Sequence, residues 1–142
     1  MKIAFPIARV LLGLMFTIFG LNGFLHFIPL PPPTGMALQF MGTLAASNYL
    51  APVFALQLVA GVLLLANQYV PIALVLLGPV IANILIYHVL MLPAGLPPGL
   101  LALILWGVVF AGVRSAFAGV FARQVPLEQD GTRASAVAAA RL

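Results

Sequence analysis

Hydrophobic residues in this chain come in long unbroken runs rather than in alternation. Four runs stand out, at about 3–28, 50–66, 71–92 and 98–120. A bilayer core of ~30 Å takes about 20 helical residues at ~1.5 Å each. The first, third and fourth runs meet that length, and the second reaches toward it once 49–51 extend the stretch that starts at Pro52. Inside lipid only helices and closed barrels satisfy every backbone polar group. The absence of period-two alternation favours helices.

The breaks between the runs carry turn chemistry. Pro52, Pro71 and Pro98 each fall where a first helical turn is expected, and there a missing N–H removes no bond. The longest connection covers 29–50. Pro29, Pro31, Pro32 and Pro33 make its start extended. Residues 35–47 then read as a short amphipathic helix whose Met36, Phe40 and Met41 dip into the membrane interface. Residues 67–70 and 93–97 are tight turns, which make their flanking helices antiparallel. The expected fold is therefore all-α: an integral membrane four-helix bundle, up-down-up-down, with a short interfacial helix between helices one and two. Residues 1–122 form the membrane domain and 123–142 a frayed tail, in which Thr132 is a candidate cap for a short helix. The first run is too long for a secretory signal, lacks a small-x-small cleavage pattern, and reads as a retained helix.

Composition strengthens this reading. The 142 residues are 64% hydrophobic and 6% charged, against ~25% charged in soluble domains, so the chain cannot cover a water-facing surface. The net charge of +4 comes from six scattered Lys and Arg residues, with no basic stripe for nucleic acid. Those residues carry topology instead. Lys2 and Arg9 lie at the start of helix one, while Arg114, Arg123, Arg133 and Arg141 lie late in helix four or beyond it. The 29–50 connection and the 93–97 turn hold no Lys or Arg. The positive-inside rule puts both termini in the cytoplasm. With no cysteine, the chain has no disulfide, thiolate ligand or thiol relay of its own.

Polar side chains within the spans are the candidate chemistry. Asn22 and His26 share one face near the end of helix one. Gln57 lies about 8 Å below Pro52 on helix two. Asn83, Tyr87 and His88 occupy the outer third of helix three, and Trp106 a similar or slightly deeper level on helix four. Together they suggest a polar layer in the outer half of the bundle, able to hydrogen-bond a carbonyl-bearing amphiphile such as a quinone. The competing reading is packing: such groups bond across helices at ~0.6 kcal/mol each. His26 and His88 at matching depth raise haem ligation, but two histidines are a thin ligand set and haem is disfavoured. No carboxylate lies in any span, so no metal site is expected. Hydrolase and phosphate-loop motifs are absent.

A second pattern is made of small residues. Gly13, Gly20 and Gly23 share a stripe of helix one with Arg9, Phe16 and Phe27, and Ala60 and Gly61 offer a similar patch on helix two. Such stripes let helices approach closely, within the chain or against another subunit. Arg9 is expected to snorkel to the inner surface or to point into the bundle, snorkelling being the commoner outcome. Gly78 and Pro79 are expected to kink helix three.

The run Ala8-Arg9-Val10-Leu11-Leu12-Gly13 continuing to Phe16 and Gly20 resembles the DoxX-like family of small four-helix bacterial membrane proteins. Gly20-Leu21-Asn22-Gly23-Phe24 with His26-Phe27, and Gln57-Leu58-Val59-Ala60-Gly61, are similar to it too. The likeness covers about residues 5–122. It implies a bacterial inner-membrane location. It also implies membership of a membrane redox assembly, since some members are described as subunits of a thiosulfate:quinone oxidoreductase. Many members carry a glutamate where this chain has Gln57, which puts any proton handling there in question. Three functions follow: a quinone-linked redox subunit, a non-catalytic anchor or assembly subunit among other membrane proteins, and, well behind, a small-solute carrier.

Overall fold

The structure, a computed structural model, describes residues 3–120 and Arg123. The tail expected over 123–142 otherwise lies outside the described residues. Within them the chain is all-helical, without a strand. Helix α1 covers Ala4–Leu25, α2 Gly35–Ala46, α3 Leu50–Leu65, α4 Val70–Leu90 and α5 Leu96–Val113. Short 3-10 turns at Pro93–Gly95 and Arg114–Phe117 flank α5. Pro52, Pro71, Pro97 and Pro98 all fall within three residues of a helix start, where N–H groups have no helical acceptor.

Three segments are long and apolar enough to cross a bilayer: Ala4–Leu25, Val70–Leu90 and Pro93–Phe117. The fourth expected span is different. α3 has 16 residues, roughly 24 Å at ~1.5 Å per residue, and it meets α2 at 86°. α1 also stops earlier than its apolar run, because His26 turns left-handed at φ 51°. α5 begins two residues before Pro98 and gives way to the 3-10 turn after Val113.

The helix ends show why the chain turns where it does. Asn48 (φ 57°) and Asn67 (φ 55°) end α2 and α3 in the left-handed region. After α2, the Tyr49 amide donates to the Leu44 carbonyl at 3.0 Å and the Asn48 amide to Ala45 at 3.0 Å. After α3, Gln68 donates to Leu63 at 3.0 Å and Asn67 to Leu64 at 3.2 Å. This paired pattern reverses the chain and satisfies the last carbonyls, and asparagine tolerates the left-handed backbone it demands.

α1 packs against α3 and α5, α3 against α4, and α4 against α5. The α1–α3 pair is antiparallel, since Gly13 faces Gly61 and Leu65 while Gly20 faces Phe54 and Leu58. The α4–α5 pair is antiparallel as well, with Gly99 against Leu85 and Trp106 against Leu74. Leu12, Phe16, Ala60, Leu64, Leu74, Leu77, Ile81, Ala102 and Val109 fill the interior. The outside is equally apolar. Val75 is 58% exposed and Ile104 63% exposed, among many such residues. An exterior of this kind is compatible with a lipid surrounding.

α1 and α3 meet backbone to backbone. A Cβ on Gly20 would stand 2.8 Å from the Leu58 amide nitrogen, and one on Gly61 2.5 Å from Thr17 Oγ1 and 2.6 Å from the Thr17 nitrogen. Both positions require glycine for this approach. Gly13 and Gly23 continue the seam, Gly23 lying under the Phe54 ring. The small-residue stripe of α1 is thus covered by α3 of the same chain.

Candidate functional site

The seven polar candidates occupy separate places. Asn22 is buried, and its Oδ1 accepts the Ile28 amide at 2.6 Å, tying the outgoing chain back onto the end of α1. His26, one turn on, is exposed and serves as the left-handed terminator of that helix, its amide donating to the Asn22 carbonyl at 2.8 Å. Asn83 is also exposed and donates from Nδ2 to the Pro79 carbonyl one turn earlier, at 3.1 Å. Such a bond within one helix satisfies the amide without a second element.

His88 is half-buried. Its Nδ1 lies 3.0 Å from the Leu92 carbonyl, which can only accept, so Nδ1 is the donor of this bond. The ring rests on Gly95, where a side chain would collide with it. Tyr87 meets His88 edge-on at 5.0 Å and stacks on Phe40 of α2 at 6.0 Å. Trp106 is far from this group. It donates from Nε1 to the Leu74 carbonyl at 3.0 Å and stacks on Phe110 at 5.1 Å. Leu74 precedes His88 by fourteen positions on α4, about 20 Å along a helix. Trp106 thus lies well below the expected outer layer.

The Trp106 bond has a local reason. Pro79, inside α4, cannot donate to the Val75 carbonyl, and its ring presses on that turn. Trp106 supplies a donor to the adjoining Leu74 carbonyl, binding α5 to the disturbed turn. Above it lies a groove of about 170 Å³ between α4 and α5, lined by Gly78, Ile81, Ala82, Leu85, Leu103 and Trp106. Apart from the indole N–H, already engaged, its lining is hydrocarbon.

Gln57 stands apart. It is 6% exposed, at the centre of the inward face of α3, and its carboxamide bonds to no other described group. Among the described residues the fully sealed, unbonded side-chain polar atoms are Arg9 Nε and Thr17 Oγ1, so the Gln57 amide keeps a narrow access to open space. Thr17 Oγ1 faces the Gly61 backbone. Apart from the Tyr87–His88 contact, no side-chain hydrogen bond or ring contact among the described residues joins two of the seven. Nor do any three His, Cys, Asp or Glu side chains gather among them.

Arg9 does not snorkel along its own helix but turns onto α3. Its Nη1 donates to the Leu64 carbonyl, and more distantly to Leu65 at 3.3 Å. These are the last carbonyls of α3, at the negative end of the helix dipole, and Leu64 accepts from Arg9 in addition to the Asn67 amide. The guanidinium is turned sideways onto α3 rather than along its own helix toward water. The signal was available: a lone arginine at the start of one span faces the end of the next span when the two are antiparallel.

Comparison with protein-family models, with curated proteins and with solved structures finds no match.

Proposed function

We propose that this chain is a non-catalytic integral membrane subunit, an anchor or assembly member of a larger complex in a bacterial inner membrane. α1, α3, α4 and α5 cross up-down-up-down as a four-helix bundle, with both termini cytoplasmic. One observation carries the reading. Asn22, Asn83, His88, Trp106 and Arg9 each bond to a backbone carbonyl or amide of the same chain, at a helix end or near the proline inside α4. Polar groups committed in this way organise a bundle and leave few free for substrate. The test is mild-detergent purification of the tagged chain from its native membrane, with mass spectrometry of what remains bound. The expected result is a complex of fixed stoichiometry, recovered equally with His26→Ala and His88→Ala. Recovery alone as a small oligomer overturns it.

A second reading, a quinone-linked redox subunit of DoxX-like type, is favoured by Gln57, whose buried amide bonds to no other described residue. It requires Gln57→Leu to abolish quinone-linked turnover of the isolated assembly while the folded chain is retained. Unchanged turnover removes it.

A further inference from the structure

α2 sits at the end of the molecule where α1 finishes and α3 begins, and it is barely held by protein. Ala37 is fully buried, Met41 and Leu44 are half-buried, and the Phe40 ring lies on Tyr87. The first three are spaced by four and three, so they form one face turned to the bundle. At ~100° per residue, Met36 projects to one side of that face and Leu38 to the other. Met36 is 69% exposed and Leu38 52%. Gln39 and Thr43 occupy the opposite edge, with Thr43 Oγ1 donating to the Gln39 carbonyl at 2.9 Å. A globular partner would cover one flank of such a helix. A bilayer meets both flanks at the same depth.

Depth and charge agree with this. Tyr87 lies three residues before the end of α4, so the Phe40 stack holds α2 within roughly 5 Å of the end of that span. The flanks therefore continue the apolar belt of Leu25, Tyr49 and Leu90, all more than 60% exposed at this end. No Lys, Arg, Asp or Glu lies between Arg9 and Arg114, so nothing on α2 attracts charged headgroups.

We propose that α2 is an in-plane lipid-binding helix, seated by the insertion of Met36 and Leu38 into the headgroup–acyl boundary and independent of lipid charge. This rests on the membrane-spanning reading of the other helices. The chain has no cysteine, so single-cysteine spin labels need no background removal. Labels at Met36→Cys, Leu38→Cys, Gln39→Cys and Thr43→Cys, with Val75→Cys on α4 as the span control, are compared in phosphatidylcholine vesicles by accessibility to oxygen and to a water-soluble nickel chelate. The expected result is a severalfold higher oxygen-to-nickel ratio at 36 and 38 than at 39 and 43, unchanged when phosphatidylglycerol replaces part of the lipid. Equal nickel access at all four, with Val75→Cys still shielded, overturns the proposal alone. Nickel access at Val75→Cys as well overturns the spanning reading beneath it. Immobilised labels shielded from both reagents at all four positions mean that protein covers α2, and also overturn it.

Discussion

The α1–α3 and α4–α5 pairs are built from almost the same apolar alphabet and are joined by different means. In α1–α3, glycines on both helices bring backbone against backbone, with Gly20 on the Leu58 amide and Gly61 on Thr17. In α4–α5, Gly78 touches little more than the Trp106 ring, at 3.8 Å from a virtual Cβ, and a groove stays open beside it. That pair is tied by a hydrogen bond across a proline-disturbed turn. Lipid tails are as apolar as leucine, so burying leucine supplies little net attraction between spans. Contact density and polar bonds supply it: the α1–α3 pair adds the Arg9 bond to its glycine seam, while the α4–α5 pair is tied by the Trp106 bond.

The contrast is broken most severely at the seam. Gly61→Leu forces a branched side chain into the Thr17 backbone, and the expected cost is about 3 kcal/mol or loss of the fold, read from unfolding in mixed detergent micelles. A stability within 0.5 kcal/mol of wild type would show that the seam is not close-packed. Arg9→Met comes next. It removes a charged donor from the final carbonyls of α3, for an expected loss of about 2 kcal/mol in the same assay. Arg9→Lys recovers part of the loss if capping is its role.

Across the molecule, Trp106→Phe keeps the ring stack but deletes the bond to Leu74, and about 1 kcal/mol is expected to be lost. The sharpest comparison is one substitution made in both pairs. Gly78→Ala adds a methyl where ordinary contact awaits it and is expected to be neutral or to stabilise by up to ~1 kcal/mol, whereas Gly61→Ala destabilises. Equal effects would mean that the two pairs are not built differently. Smallest is His26→Asn, which suits the left-handed backbone better and is expected to stabilise by a few tenths of a kcal/mol.

Much of the architecture was readable from pattern alone, because a run of 20 or so apolar residues has one way to satisfy its backbone in lipid. The proline positions at helix starts were readable for the same local reason. The polar layer was less so. Helical spacing gives depth and face to Asn22, His26, Asn83 and His88, but it does not say that a nearer backbone carbonyl or amide will take the bond first. The Asn48 and Asn67 turns carried a legible signal, asparagine before a break in the apolar run, and His26 used the same device less visibly.

What the sequence determined by itself, then, is the presence and approximate position of the apolar helices and their demand for an apolar surrounding, since both depend on residue type and the length of each run. The tertiary structure decided how each inward group is used: that Arg9 closes the end of α3, that Trp106 mends the turn at Leu74, and that Gln57 faces inward with no partner among the described residues. Those outcomes depend on which carbonyl lies within about 3 Å of which donor. A periodic pattern fixes direction around one helix axis, while that distance is set by the approach and rotation of two helices against each other.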